Sequence, residues 1–277
     1  MRKFTAVNAA GETFNLMRKD AFFYTPKGLG VEYANTYMRA GSAYIATKRD
    51  VAQGSISGKM IFSSYSAYRE FARFASRQPI KLNYSPNGTT YTIDTLVGEL
   101  TKDEISYRTN RLECDIVFDC LTLWYIKKPG VWSSRSDATG GKVYDFIYNY
   151  TYAWASANQI ALYNNSLIDS PLLLTIFGTV YNPSWRVYLN GEAVASGSVT
   201  ATIQSGNKLV LNSADNNLEI AEYTNTDEFV RNLYQTTDFS KSTFVYIPPG
   251  SSLLTLESSD GGDILACAEV FELYETV

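Results

Sequence analysis

The chain has 277 residues, 45% apolar and 19% charged, which excludes a collagen, a coiled coil and a disordered tail and suits a globular protein with a sizeable core. It contains no histidine, so a Ser-His-Asp or Cys-His nucleophile pair and any histidine-built zinc, haem or non-haem iron site are excluded. Before residue 140 there are 19 Lys and Arg against 13 Asp and Glu, and from there on 5 against 15. That asymmetry, at about 100 to 200 residues per domain, marks two domains rather than one mixed core.

In chain order, Met1-Arg2-Lys3 opens a polar stretch with no apolar run of signal-peptide length. No later segment approaches the roughly 20 apolar residues of a membrane helix, so no membrane partner is expected and the protein is read as made in the cytoplasm. Strand-like runs occupy 51–62, 81–84 and 91–100, with Pro86-Asn87-Gly88 as the turn between the last two. Between them, Tyr68, Phe71, Ala72 and Ala75 fall at helical spacing, which predicts a single amphipathic helix over about 65–77, capped by a preceding serine and stopped by Pro79. From 112 to 121 apolar and polar residues alternate with period two, a strand that turns Cys114 and Cys120 inward. These two and Cys267 are too few and too scattered for a disulfide framework or a metal clip.

The small and polar run 133–141 is the expected seam, giving domains 1–139 and 140–277. The second half opens on a strand-like segment, 143–154, whose Tyr144, Phe146, Tyr148, Tyr150, Tyr152 and Trp154 share one face. Short strand-like runs then alternate with turns at Asn190-Gly191, Ser205-Gly206-Asn207, Asp215-Asn216-Asn217, Pro248-Pro249-Gly250 and Asp260-Gly261-Gly262. That spacing, with almost no helical periodicity, predicts an antiparallel sandwich or jelly roll.

No chemistry emerges from these residues. Asp115 and Asp119 share a strand face about 13 Å apart, beyond a glycosidase pair. Gly140-Gly141-Lys142 lacks the rest of a phosphate loop, and the Asp-Gly turns lack EF-hand spacing. Arg69, Arg73 and Arg77 form a basic stripe, read either as a solvated face or as a contact with an acidic partner. The isoelectric point of about 5.1 argues against nucleic-acid recognition. The 21 tyrosines fit a core with a wet rim or an interface. Trp124 is assigned to the core, whereas Trp132, Trp154 and Trp185 are the candidates for exposed contacts with a partner or a sugar ring.

The order of motifs carries a resemblance. A helix with Tyr65, Tyr68, Phe71 and Phe74 leads into Ile80-Lys81-Leu82-Asn83-Tyr84, then a strand ends at Leu121-Thr122-Leu123-Trp124-Tyr125. A tyrosine-rich stretch, Gly178-Thr179-Val180-Tyr181-Asn182-Pro183, and Ile247-Pro248-Pro249-Gly250 follow. Across essentially its whole length the chain resembles the distal tail protein family of long-tailed bacteriophages of Gram-positive hosts. The resemblance implies a mainly β fold: a barrel- or sandwich-like first domain with one helix, and a galectin-like β-sandwich. It implies a structural, non-enzymatic hub in the virion tail tip, a homohexameric ring with a channel for DNA. The ring joins the tail tube protein to the tail-tip or tail-associated protein and to receptor-binding parts, with first domains forming it and second domains projecting. It brings no catalytic residue, cofactor or metal, and gives Gly178, Asn182, Pro183, Pro248 and Gly250 turn roles. The chain lacks the inserted carbohydrate-binding modules of enlarged members and the histidine of galectin sugar sites. The alternatives are a carbohydrate-binding module for a host wall saccharide, and an enzyme using only Asp, Glu and Tyr.

Overall fold

The computed structural model describes residues 2–106, 110–133 and 158–277. Its contacts divide the chain into two compact units, residues 1–126 with 274–277, and residues 127–273. The seam expected over 133–141 lies after that division, and from Ser134 onward it falls outside the described residues, as do Gly140-Gly141-Lys142, the aromatic run 143–154 and Trp154. Counted by unit, the charges are 16 Lys and Arg against 13 Asp and Glu in the first, and 8 against 15 in the second.

The first unit is a curled antiparallel sheet. Its order is Thr13–Asn15, Lys3–Val7, Ile80–Ser85, Tyr91–Leu100, Arg111–Cys120, Ser55–Phe62, Ala21–Lys27. The two ends meet, because the Phe23 N–H donates to the Leu16 carbonyl at 2.8 Å and Met17 bridges Phe22. Closure of this kind removes the sheet edges that would otherwise invite aggregation. Alternation in Arg111–Cys120 buries Leu112, Cys114, Ile116 and Phe118, as period two requires, while Cys120 is half-buried. The segment read as one run over 51–62 is two strands, Ala43–Val51 and Ser55–Phe62. Residues 52–54 separate them, and the Gly54 carbonyl accepts from the Cys120 N–H at the end of the second strand's ladder.

One helix, Tyr65–Ala75, covers this core. Ser64 is extended and its side chain accepts from the Ala67 N–H, satisfying a donor the first turn leaves free. Phe71 and Phe74 are buried against Phe14, with ring centroids 5.2 and 5.4 Å away, and Tyr65 and Tyr68 pack at the margin. The helix stops two residues short of the expected end: Ser76 is its C-cap, and Arg77 lies beyond it.

The second unit is a sandwich of two antiparallel sheets. One runs Val131–Trp132, Ala266–Tyr274, Ser170–Phe177, Asn207–Asn212, Glu219–Thr224, Phe229–Asn232; the other runs Gln159–Asn164, Gly250–Glu257, Ser184–Leu189, Glu192–Ser198. Their inner faces meet through Leu172, Leu174, Ile176, Leu209, Leu211, Trp185, Val187 and Leu254. The Asn190-Gly191 turn closes a two-residue hairpin with both residues at positive φ, 52° and 86°, the geometry that matches strand twist. Gly178 follows Ser170–Phe177 directly, and a side chain there would meet the Gln204 carbonyl at 2.0 Å. Asn182 turns the chain at φ 45° before Pro183, and Gly250, at φ 95°, opens its strand after Pro248 and Pro249. Asp215–Asn217 is a single 3-10 turn. No helix among the described residues is long and apolar enough to cross a membrane.

Candidate assembly surface

The buried carboxylates are committed to structure. Glu222 is buried with Arg231 at 2.6 Å and Asn207 at 2.6 Å, and Glu272 is buried with Lys128 at 3.0 Å and both nitrogens of Asn165. Burial pushes the Cys120 thiol up to about 11 and raises Cys114 and Cys267, so none is poised as a thiolate. Among the described residues no group of three or more Cys, Asp or Glu could hold a metal ion.

The expected contact residues separate. Trp124 is buried in the first core. Trp132 is 55% exposed and lies nearly parallel to Phe177, 5.8 Å away, so it remains available for a contact. Trp185 does not: it is 1% exposed, inside the sandwich opposite Gly197, where an added side chain would meet the indole at 2.6 Å. The expectation of a surface Trp185 is corrected. In Ser184–Leu189 the inward positions of the period-two pattern are 185 and 187, and a large apolar side chain at such a position fills the core.

The basic stripe is also split. Arg69 and Arg73 are exposed on the outer helix face, whereas Arg77, past the C-cap, pairs with Glu12 at 2.6 Å. Hydrogen bonding from Asn8, then the charge of Arg77, holds the Glu12 carboxyl below its usual range. Glu70, on the same helix, is taken by Arg18, which also pairs with Asp20 at 2.6 Å.

The largest unpacked feature was not legible as such in the sequence. Tyr33–Ala40 and Ala43–Val51 form a long hairpin that pairs with no other strand among the described residues, turning at Gly41 with φ 64°. Its base is held within the first unit: the Tyr33 hydroxyl donates to Glu275 at 2.6 Å, the Arg49 guanidinium lies 3.9 Å over the Tyr33 ring, and the Ala52 N–H donates to the Glu32 carbonyl. Beyond the base every residue from 34 to 51 is exposed. Met38 and Ile45 are cross-strand partners on one face, and Tyr37 and Tyr44 lie on the other. These four are 56%, 51%, 58% and 72% exposed. A two-stranded ribbon is marginal alone in water, and one with apolar side chains on both faces is suited to be covered by another chain. The sequence signal was present, alternating apolar residues around Ala-Gly-Ser, but with polar residues interleaved on both faces no core side stood out.

The fold and these surfaces define a two-domain β protein that offers faces for assembly. Residues 3–121 match the family model described as distal tail protein, N-terminal domain. A chain of the phage P2 baseplate in its activated conformation with calcium is 16% identical, aligned over 100% of both chains with a TM-score of 0.69. The crystal structure of SPP1 Dit (gp 19.1), described as a paradigm of the hub adsorption apparatus in phages infecting Gram-positive hosts, is 10% identical over 96% of this chain and 98% of that one, with a TM-score of 0.60. No curated protein matches. Residues 3–121 are thus similar to the N-terminal domain of distal tail proteins, and the whole chain shares the fold of these two solved phage proteins.

Proposed function

We propose that the protein forms a homohexameric ring at the tail tip, joining the tail tube to the tail-tip and host-binding parts around a channel for DNA. The first domain builds the ring and the second projects from it. The observation that carries this reading is the hairpin 33–51, whose two apolar faces have no cover among the described residues. An arm that leaves one copy to lie on a different patch of the next makes a heterologous contact, which closes into a ring of discrete size when the rotation per subunit permits. The exposed Arg69 and Arg73 suit an acidic surface on a neighbouring tail protein, and the opposite charge balance of the second domain suits a different partner.

Absolute mass by light scattering tests the ring. A species of about 185 kDa, six times 30.9 kDa, is the expected result. A protein that stays monomeric both alone and when co-expressed with its tail-tip neighbours would refute it.

A further inference from the structure

In the second domain the exposed edge strand Phe229–Asn232 runs into the single 3-10 turn Tyr234–Thr236. Between that turn and the Asp215–Asn217 turn lies an open cavity of about 750 Å³, within the size range of ligand sites. Its apolar wall is Leu218, Tyr234 and Phe244. The Tyr234 and Phe244 rings lie 18° from parallel with centroids 6.1 Å apart, and Phe239 meets Tyr234 edge-on at 5.4 Å. Tyr234 and Phe239 are nonetheless 43% and 63% exposed.

The platform is held rigidly. Asn232 Oδ1 accepts from the Tyr234 N–H at 2.8 Å, the Thr237 hydroxyl donates to the Tyr234 carbonyl at 2.7 Å, and the preceding Leu233 is buried in the sandwich. Two bonds and a core anchor at one short turn fix where the Tyr234 ring stands before any ligand arrives, which lowers the ordering cost of binding.

The polar wall is of a definite kind. Asn217 and Gln235 line the cavity with side-chain amides that make no hydrogen bond among the described residues. Glu219 lines it as well, one oxygen accepting from the Tyr223 hydroxyl. No Lys or Arg does. An amide presents a donor and an acceptor side by side, as vicinal hydroxyls require, and an exposed aromatic face takes the apolar C–H face of a pyranose ring. A phosphate- or carboxylate-bearing polymer would find no cation here and would face a carboxylate. We propose that this cavity binds a neutral saccharide, stacked on Tyr234 and hydrogen-bonded by Asn217 and Gln235.

The site does not depend on ring formation, so the two readings fail separately. The test uses the full chain against immobilised neutral oligosaccharides (glucans, mannans, rhamnans and N-acetylhexosamine oligomers), with polygalacturonate and heparin as anionic comparators, followed by calorimetric titration of any hit. The expected result is saturable binding to a neutral glycan, weakened about tenfold by Tyr234→Ala and measurably by Gln235→Ala, which removes no core packing. Silence across the neutral set, binding to the anionic polymers alone, or binding indifferent to both substitutions would overturn the proposal. Unchanged mass and circular dichroism of the variants separate lost binding from lost fold.

Discussion

Replacing Tyr44 and Ile45 by threonine strips the hairpin of its tip contacts while keeping residues that favour strands. In the isolated chain these side chains are 72% and 51% exposed, so their removal takes almost nothing from the fold. In a ring they would be covered. Full burial of such a side chain is worth about 1.5 to 3 kcal/mol, and scaling by the exposed fractions gives roughly 1 to 2 kcal/mol each. Threonine recovers part of this, leaving a loss of about 2 to 3 kcal/mol per arm, or roughly 30- to 150-fold in each contact. A closed ring suffers that loss at every interface at once. Light scattering across a wide concentration range should therefore show the double variant near the monomer mass of 30.9 kDa where the parent is assembled. Its melting should differ by no more than about 0.5 kcal/mol, as for surface changes that touch nothing. An assembled variant with the parent's mass would show that the arm is not the ring contact, and a variant that fails to fold would show that the hairpin is packed within its own chain.

Other substitutions probe the fold beneath these surfaces. Gly197→Val places atoms against the buried Trp185 indole and should destabilise the second domain by about 1 to 3 kcal/mol in chemical denaturation, while Gly191→Val, in open space but at positive φ, acts through turn strain. Ser64→Ala removes the cap of the Tyr65–Ala75 helix and should cost about 1 kcal/mol, recovered in Ser64→Asp. Glu272→Ala strands the Asn165 nitrogens and Lys128 and should cost about 3 kcal/mol or more, seen as a lower melting temperature. The Asp238 carboxyl, bonded first by the Ser240 hydroxyl and then by Lys241, is held down to about 2. A depressed folded value stabilises above the unfolded one and is lost as pH falls through about 2, so NMR titration should find Asp238 ionised at pH 3 and its own contribution to stability fading only below the ordinary aspartate range. With no histidine, melting should be nearly flat from pH 5.5 to 8, and a sharp transition there would contradict the reading.

Much was set by local chemistry alone. The helix follows from Tyr68, Phe71 and Ala75 recurring on one face behind a serine, and its cap formed at Ser64 because that bond spans only three residues. The strand Arg111–Cys120 and the turns at Gly88, Asn190-Gly191 and Gly250 follow from period-two alternation and from backbone angles that glycine and asparagine tolerate. The absence of histidine settled which chemistries could not occur. These inferences succeed because each depends on neighbours in sequence.

Burial of an individual side chain does not. Trp185 and Trp132 both sit in strand-like runs beside small or polar residues, yet the first points into the sandwich core over its cross-strand neighbour Gly197 and the second lies on an edge strand. Likewise the alternation in 33–51 resembles that of any half-buried strand, and only the lack of pairing with other strands among the described residues makes it an arm. The cavity beside Tyr234 joins turns nearly 20 residues apart, brought together by the ladder between Glu219–Thr224 and Phe229–Asn232. Which face of a strand meets a second sheet, and which meets water, is fixed by register and by layers that assemble from distant segments; the sequence determined the strands, and the tertiary structure decided what they expose.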